Sequence, residues 1–425
     1  MLSSPEERRR LRQEKAQQRV QKQAQNKKTL LRLAAAAVVL IACGALIFGL
    51  TRKNRKPDAP SAESTQQTAA SADTATEETT QSPTTVIHYA AAGDLNINEA
   101  TVASGGSSYV YTNTFLDVAH LLSGADIASV NFEGNLYGAP YGSSFSAPQS
   151  MATALQKAGV DLVQMANSYS INRGLSGLTA SIDAVRSAGM EPLGVYATNE
   201  EFKESKGYTI RTVKGIKMAF VAFTKGMDGM ALPPGSEQCV NVLYEDYDSV
   251  YQNIDREKIT SILSAVAKEK PDIVIALLHW GSEFNNTISK SQSSIAELMF
   301  ANGVDAIIGT HSHYVQKMSF DAEKGQFVAY SLGDFFSDAQ RAGSEYSVVL
   351  DLEITKDNLT GTTRITNYAY TPIFTVHEAE QPLRVVRIQQ AVEAYQNSHL
   401  QMVTEETYNK MVYALERIET RIKGE

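Results

Sequence analysis

Two stretches of the chain decide its fold: residues 272–283 read DIVIALLHWGSE, and residues 305–313 read DAIIGTHSH. Each contains a continuous apolar run that ends close to a histidine. Such runs predict parallel strands that are covered on both faces of a sheet. In an open α/β sheet, ligands collect just outside the carboxyl ends of the strands. The sequence therefore places His279, His311 and His313 at a sheet edge where ligands bind.

The histidines at these two strand ends predict a metal site. Imidazole is the commonest protein ligand for transition metals such as zinc and iron. A lone histidine is more often a core or surface residue, but here two separate strands deliver imidazoles, one of them as a His-x-His pair. This placement favours a shared functional centre.

Three earlier predicted strands also end in polar residues. Asp94 follows the strand of residues 86–93, and Asn167 follows the strand of residues 161–166. Asn131 and Glu133 end the strand between them and share one face, because side chains alternate along a strand. Taken alone, Asp94 would more often be a turn or helix-capping residue than a ligand.

The predicted metal ligands combine imidazoles with carboxylates. This mixture fits zinc, manganese or iron and argues against calcium, which takes oxygen ligands. Two adjacent metals would need a bridging carboxylate, for which Asp94 and Glu133 are the candidates. The full predicted ligand set is Asp94, Glu133, His279, His311 and His313.

Charge is distributed unevenly along the 425 residues. The net charge of −8 combines a basic start with an acidic remainder: 25 basic and 44 acidic residues follow residue 56, a net charge of −19 there. Nucleic-acid binding requires a basic surface. We therefore predict no nucleic-acid partner.

An apolar segment near the start predicts a membrane anchor. Residues 33–50 carry no charge over 18 positions, which is about the minimum span of a bilayer core. Residues 10–28 hold seven Lys or Arg, against four in residues 51–56, so the positive-inside rule places the start of the chain in the cytoplasm. We predict a cytoplasmic tail (1–28), a single transmembrane helix (29–50) and an extracellular main domain, rather than a cleaved signal peptide.

The rest of the chain divides into a stalk and a folded part. Residues 51–85 are rich in Ser, Thr, Ala and Gln and are predicted to be a disordered stalk. Residues 86–345 alternate strand-like and helix-like runs, which predicts an α/β domain, and later strand pairs predict a second, mixed sheet. Residues 346–425 are predicted to add strands and helices that complete this domain.

Six short segments resemble the CapA family of capsule and poly-gamma-glutamate synthesis proteins, in the order seen there. They are GD at 93–94, NFE at 131–133, AN at 166–167, HWGSE at 279–283, GTHSH at 309–313 and YSLGDF at 330–335. The resemblance covers roughly residues 86–340. It implies a branch of the calcineurin-like metallophosphatases: a four-layer αββα sandwich, with a divalent metal (manganese, zinc or iron) in the centre.

The resemblance also implies partners. Family members are linked to the synthesis, export or anchoring of an anionic capsule polymer, and some relatives cut poly-gamma-glutamate. The expected partners are therefore an anionic surface polymer, the cytoplasmic membrane and other membrane proteins of polymer synthesis. Asn131 and Asn167 are predicted to contact substrate.

The third motif departs from the family pattern. Relatives usually have Ala-Asn-Asn-His there, followed by an Asp and a Gly, whereas this chain has Ser168, Tyr169 and Asn172 in place of the second Asn, the His and the Asp. The usual His protonates a leaving group, and a tyrosine with a pKa near 10 is a poorer donor at neutral pH. Three functions stay open: a polymer biogenesis protein with an altered metal site, an envelope phosphoesterase or polyglutamate hydrolase, and a degenerate polymer-binding module.

Overall fold

The computed structural model describes residues 83–339, 341–398 and 403–425. The predicted tail (1–28), transmembrane helix (29–50) and nearly all of the stalk (51–85) lie outside these residues. Among the residues that are described, no helix combines the length and the apolar character that crossing a bilayer requires.

The first sheet has eight strands, and β1 lies at its centre. Parallel strands follow β1 on one side in the order β2, β3, β4, and antiparallel strands on the other in the order β12, β13, β14. Short β11 also pairs with β1. The strands are β1 Thr84–Asn96, β2 Ile127–Glu133, β3 Leu162–Gln164, β4 Glu191–Leu193, β11 Asp334–Phe336, β12 Tyr346–Asp357, β13 Thr363–Val376 and β14 Arg384–Arg387.

The second sheet has six strands in the order β5-β6-β7-β8-β10-β9. Its middle strands β6, β7, β8 and β10 run parallel, and antiparallel strands form both edges. The strands are β5 Thr209–Val213, β6 Ile216–Thr224, β7 Ile273–His279, β8 Ala306–Thr310, β9 Met318–Asp321 and β10 Gln326–Ala329.

Ten helices lie in the described part of the chain. Several begin with side-chain caps, such as Ser289, whose hydroxyl accepts from the Gln292 N–H. The helices are α1 Glu99–Ala103, α2 Thr112–Phe115, α3 Ala119–Ser123, α4 Gln149–Lys157, α5 Gly174–Ser187, α6 Asn199–Ser205, α7 Arg256–Lys268, α8 Lys290–Ala301, α9 Ile388–Gln396 and α10 Glu405–Lys423.

Three apolar interfaces separate four layers, so the predicted α/β class is confirmed and its layers follow the order αββα. Helices α1–α5 pack on the outer face of the first sheet, and α7 and α8 pack on the outer face of the second. The two sheets pack on each other between them, and α9 and α10 extend this middle interface. Successive residues of β7 alternate between the middle and the outer interface, which is why the strand is apolar throughout.

An aspartate precedes each of four parallel strands and ties that strand to its neighbour. Its carboxylate accepts a hydrogen bond of 2.7–2.9 Å from a backbone N–H on the adjacent strand. Its own N–H donates to the carbonyl of that same neighbouring residue, which closes a ring and fixes the register. The four are Asp126 before β2, Asp161 before β3, Asp272 before β7 and Asp305 before β8.

Asp126 and Asp305 occupy equivalent places in opposite electrostatic surroundings. Burial acts to raise the pKa of Asp126, but hydrogen bonds from Lys214 and the His88 N–H hold that pKa below its usual value. Burial raises the pKa of Asp305 to about 6, opposed only by the Val274 N–H. Ionisation therefore stabilises the fold at Asp126 and destabilises it at Asp305.

We expect Asp126→Asn and Asp305→Asn to change stability with opposite signs. At pH 7, Asp126→Asn should lower the free energy of unfolding by about 1 kcal/mol, a loss that disappears as the pH falls below about 4. Asp305→Asn should raise the free energy of unfolding by up to about 3 kcal/mol at pH 7. This gain in stability grows as the pH rises from about 4 to about 6. Urea unfolding at several pH values measures both, and changes of equal sign at pH 7 would refute the assignment.

Candidate metal centre

The first group of potential ligands lies where three strands of the two sheets end. Glu133 is the last residue of β2, His279 is the last residue of β7, and His311 follows β8 directly. One ligand atom from each lies within 4.8 Å of the others, and all three residues are buried. The His279 Nε2 atom lies 2.8 Å from Glu133 Oε1, and the rings of His279 and His311 are 4.3 Å apart.

The surroundings of His279 accommodate the tautomer that a metal ligand needs. The Thr224 hydroxyl lies 2.8 Å from the Gly226 carbonyl oxygen, to which it can donate. His279 Nδ1, 3.1 Å from the same hydroxyl oxygen, can then donate to that oxygen. In this tautomer Nε2 presents a lone pair to the Glu133 carboxylate. Two acceptors face each other, and a cation between them would bind both.

His311 supplies a second unused lone pair. Its Nε2 atom is buried and has no hydrogen-bond partner among the described residues. A buried polar atom without a partner is costly, and a bound ion is one of the ordinary explanations for it. Both imidazoles of this group thus offer free nitrogen atoms to a metal.

The second group contains Asp94, His313 and Asp334, whose ligand atoms also lie within 4.8 Å of one another. His313 Nδ1 lies 2.8 Å from Asp334 Oδ1 and 3.8 Å from Asp94 Oδ2. The two carboxylates come from paired strands, because Asp94 in β1 is the register partner of Asp334 in β11.

Two glycines allow these strands to approach. A Cβ atom on Gly93 would lie 1.8 Å from the Gly333 carbonyl oxygen, so only glycine fits there. Gly333 itself has φ of 80°, in the region that favours glycine. The close approach permits the 2.9 Å hydrogen bond from the Asp94 N–H to the Gly333 carbonyl, which places Asp94 beside Asp334.

The turn that carries His311 and His313 is unusual in its backbone. Both residues have positive φ, 88° and 57°, which non-glycine residues seldom adopt. Asp94 holds the turn through a 3.0 Å hydrogen bond that its Oδ2 accepts from the His311 N–H. Strained conformations of this kind concentrate at functional sites, where the surrounding structure enforces them.

Asn131 and Asn167 lie beneath the two groups and connect them. The Asn131 amide donates to Asp94 Oδ1 at 2.7 Å and to Glu133 Oε1 at 3.0 Å. Asn167 donates in turn to Asn131 Oδ1 and to the Phe132 carbonyl. Both side chains are about 1% exposed, and these bonds use all their amide hydrogens. These hydrogen bonds orient the carboxylates of Asp94 and Glu133. The substrate contact predicted for both asparagines stays a prediction.

Burial shifts the pKa values of these side chains strongly. Burial, and then the charge of Glu133, raises the pKa of Asp94 to about 8, and burial raises the pKa of Glu133 to about 7. Burial lowers the pKa of His279 to about 3 and that of His311 well below its usual value. The protein alone therefore holds two uncharged imidazoles next to carboxylates that are costly to ionise.

His313 differs from the other two histidines. Burial acts to lower its pKa, but the charge and hydrogen bond of Asp334 raise that pKa well above the usual value. Protonated His313 therefore neutralises part of the negative charge of the buried carboxylates. A divalent cation would balance them more fully.

The donor set fits divalent metal ions. Imidazole nitrogen and carboxylate oxygen atoms are the ligands that zinc, manganese and iron take in proteins. Both of the adjacent groups offer this mixture. Glu133, His279 and His311 would hold one ion, and Asp94, His313 and Asp334 a second. All five predicted ligands thus converge in the structure, three in the first group and two in the second.

Asp334 is the sixth potential ligand, and the sequence prediction did not include it. It stands in the last quoted motif segment, after a glycine, just as Asp94 follows Gly93. That shared Gly-Asp pattern was the available signal. Its strand β11 has only three residues, too short for an apolar pattern to reveal.

A cleft of about 350 Å³ opens beside the second group. His313 and Asp334 form part of its wall, together with Tyr169 and Glu283. The Tyr169 ring packs on Phe145 at 4.9 Å. Burial, and then the nearby carboxylates, raise the pKa of Tyr169, so its phenol stays protonated at neutral pH. Tyr169 therefore offers the cleft a hydroxyl donor at the position where the family resemblance implies a histidine.

Known proteins are similar to the part of the chain that carries the metal centre. Residues 88–339 match the model of the family described as bacterial capsule synthesis protein PGA_cap. The chain is 29% identical to the capsule biosynthesis protein CapA of Bacillus anthracis over 245 residues, which cover 55% of this chain and 54% of that protein. It is 26% identical to the PGA biosynthesis protein CapA of Bacillus subtilis, over 51% of each chain. The chain thus spans about half the length of the curated relatives it matches.

Solved structures with related backbones include a calcineurin-like phosphoesterase, YfkN from Bacillus subtilis. It is 16% identical, with a TM-score of 0.42, over 78% of this chain and 100% of that one. A novel phosphatase from Mycoplasma pneumoniae is 12% identical, with a TM-score of 0.41, over 68% of this chain and 94% of that one.

We expect His311→Ala to remove one metal ion per chain, because it deletes the free Nε2 atom of the first group while leaving the second group intact. Elemental analysis after gel filtration with manganese or zinc measures this. His120→Ala, at an exposed histidine, is the matched control and should keep the full content. Equal metal content in the two variants would show that the ion is not held at this group.

We expect Thr224→Val to weaken metal binding by about 10- to 100-fold while keeping every ligand. Valine has the shape of threonine but cannot accept from His279 Nδ1, so the ring loses its fixed orientation. Competition with a fluorescent chelator measures the affinity. Thr260→Val on helix α7 is the control, and a loss of affinity no larger than the control's would refute the orienting role.

Proposed function

The chain belongs to the bacterial capsule synthesis family PGA_cap, as its motifs predict, and on that premise we propose that its metal centre acts on an anionic capsule polymer, with poly-gamma-glutamate as the candidate. The proposal covers synthesis, export or anchoring of that polymer. It draws support from the names of the relatives, which refer to capsule, PGA and polyglutamine synthesis.

One observation carries the proposal: six buried ligand residues form two adjacent groups beside an open cleft. A purely structural metal site is closed, whereas a catalytic site keeps an open position. His313 and Asp334 belong both to the second group and to the wall of the cleft. A substrate in the cleft can therefore reach that group.

When bound, divalent metal ions supply Lewis acidity, which polarises substrate oxygen atoms and makes water more acidic. The protein's own groups complete the site. The carboxylates hold their orientation through Asn131, and the Tyr169 hydroxyl donates a hydrogen bond into the cleft. Glu283 places a carboxylate that belongs to neither ligand group on the cleft wall. Hydrolysis or transfer at a polymer linkage is the chemistry that fits this arrangement.

The proposal includes a location. The apolar span of residues 33–50 and the basic residues before it support a single-pass anchor with the folded domain outside the cell. There the domain would work beside the cytoplasmic membrane, together with other membrane proteins of polymer synthesis. The acidic charge of the region beyond residue 56 supports the prediction of no nucleic-acid partner.

A second candidate function is binding of the polymer without cleavage. Tyr169 favours it, because a phenol whose pKa is raised by burial is a poor proton donor to a leaving group. A metal centre can then hold carboxylates of the polymer without breaking a bond.

We expect the metal-loaded full-length chain to shorten poly-gamma-glutamate, measured as a shift in polymer length on gel filtration. Asp94→Asn should abolish the shift, because it removes a ligand of the second group, whereas Asp183→Asn on the exposed face of α5 should not. Binding of intact polymer with no shortening under any metal would overturn the cleavage proposal and favour the second candidate.

A further inference from the structure

A second cavity, of about 330 Å³, adjoins the cleft of the metal centre. Ser337 lines both spaces, so they meet at that residue. Part of the remaining wall comes from the C-terminal region: Thr375 on β13, and Thr407 and Lys410 on α10. The predicted metal motifs all end before this region, so its chemistry is separate from theirs.

Two residues that line this cavity carry buried hydroxyls. Ser337 is 2% exposed and Thr375 is 5% exposed, and neither hydroxyl has a hydrogen-bond partner among the described residues. Buried polar groups are normally satisfied, and exceptions call for an explanation such as a bound ion or ligand. Each hydroxyl hydrogen is unused, and rotation about the Cα–Cβ bond would turn it towards an acceptor placed in the cavity.

Cationic side chains stand around the same space. Arg341 lines it, and within the described ranges no carboxylate lies within 4.0 Å of its guanidinium. Lys410 reaches the wall from α10, and 52% of its side chain is exposed although it pairs with Glu406. This concentration is notable in a chain whose net charge beyond residue 56 is −19.

Acidic groups around the cavity limit the negative charge of a ligand that it can bind. Glu345 lines it and accepts from the Gly343 N–H, and His377 on the wall pairs with Asp338 at 3.1 Å. Lys410 and His377 each have an acidic partner, which leaves Arg341 as the cation of the wall with no carboxylate within 4.0 Å in the described ranges. A group with one negative charge matches this single cation better than a doubly charged phosphate.

Phe284 connects the cavity to the metal centre. The Arg341 guanidinium lies over the Phe284 ring, 4.6 Å from its centroid. The same ring also contacts His313, at 5.1 Å between centroids, and Tyr314, at 5.9 Å. One ring therefore separates a cation of the cavity from a potential metal ligand, so a single extended substrate can contact both.

We propose that this cavity is a carboxylate subsite: it binds a free carboxylate of one unit of a polycarboxylate chain while a neighbouring unit of the same chain lies at the metal centre. The inference rests on the proposed function and assigns the C-terminal region a part in it. Arg341 and Lys410 provide charge-assisted hydrogen bonds, and the Ser337 and Thr375 hydroxyls complete the set of donors.

The test measures binding of a fluorescent glutamyl oligomer, joined through its side-chain carboxyls, to the full-length metal-loaded chain by anisotropy. Arg341→Gln should weaken binding about tenfold or more, and Arg256→Gln, an exposed arginine on α7, should leave it unchanged. Thr375→Val should weaken binding severalfold without lowering the melting temperature, because it removes a hydroxyl that has no partner in the folded protein. A purely structural role for Thr375 would lower the melting temperature instead.

The outcomes separate this inference from the function on which it rests. If the unmodified chain binds the oligomer and both Arg341→Gln and Thr375→Val bind it equally well, the subsite alone is overturned. Tighter binding of a phosphate chain of equal length, lost in the same variants, would overturn the carboxylate assignment. No binding of the glutamyl oligomer by the unmodified chain would refute the proposed function as well.

Discussion

Negative charge buried at the ends of the central strands is the constraint on which the site depends. Asp94, Glu133 and Asp334 lie together in the interior, and two of the three histidines beside them offer unprotonated nitrogen atoms. Burying carboxylates without a partner is costly, and His313 alone offsets little of that cost. A divalent cation resolves the conflict, because it binds the carboxylates and satisfies the facing lone pairs of His279 and His311 at once.

The packing of the two sheets brings the potential ligands together. Two sheets packed face to face bring the ends of β1 and β2 against the ends of β7 and β8, so ligands that are far apart in sequence meet. Glycine at position 93 and the turn at Gly333 let β11 lie beside β1, and the strained turn after β8 presents two histidines. Aspartates at the opposite ends of four strands hold the register from which these ligands project.

Much of the fold could be predicted because local patterns report it. Strands β7 and β8 face apolar layers on both sides, so their composition reveals them, and the family resemblance is confirmed by the match over residues 88–339.

The predicted ligands converge, but Asp334 was missed because long-range pairing, not local sequence, brings β11 to β1. The partners of the Asn131 and Asn167 amide hydrogens are visible only in the folded chain, and the substrate contact predicted for these residues stays a prediction. The cavity behind Arg341 is formed by packing of distant segments and has no sequence motif, and the anchor predicted at residues 29–50 stays a prediction.

The central claim is that two adjacent groups of buried ligands bind two divalent ions. The most direct measurement is an anomalous difference map from crystals of the protein grown with manganese, recorded where manganese scatters anomalously. We predict two peaks, one among Glu133, His279 and His311 and one among Asp94, His313 and Asp334. A map with no peak at either group, at a manganese concentration that saturates the protein in solution, would contradict the account.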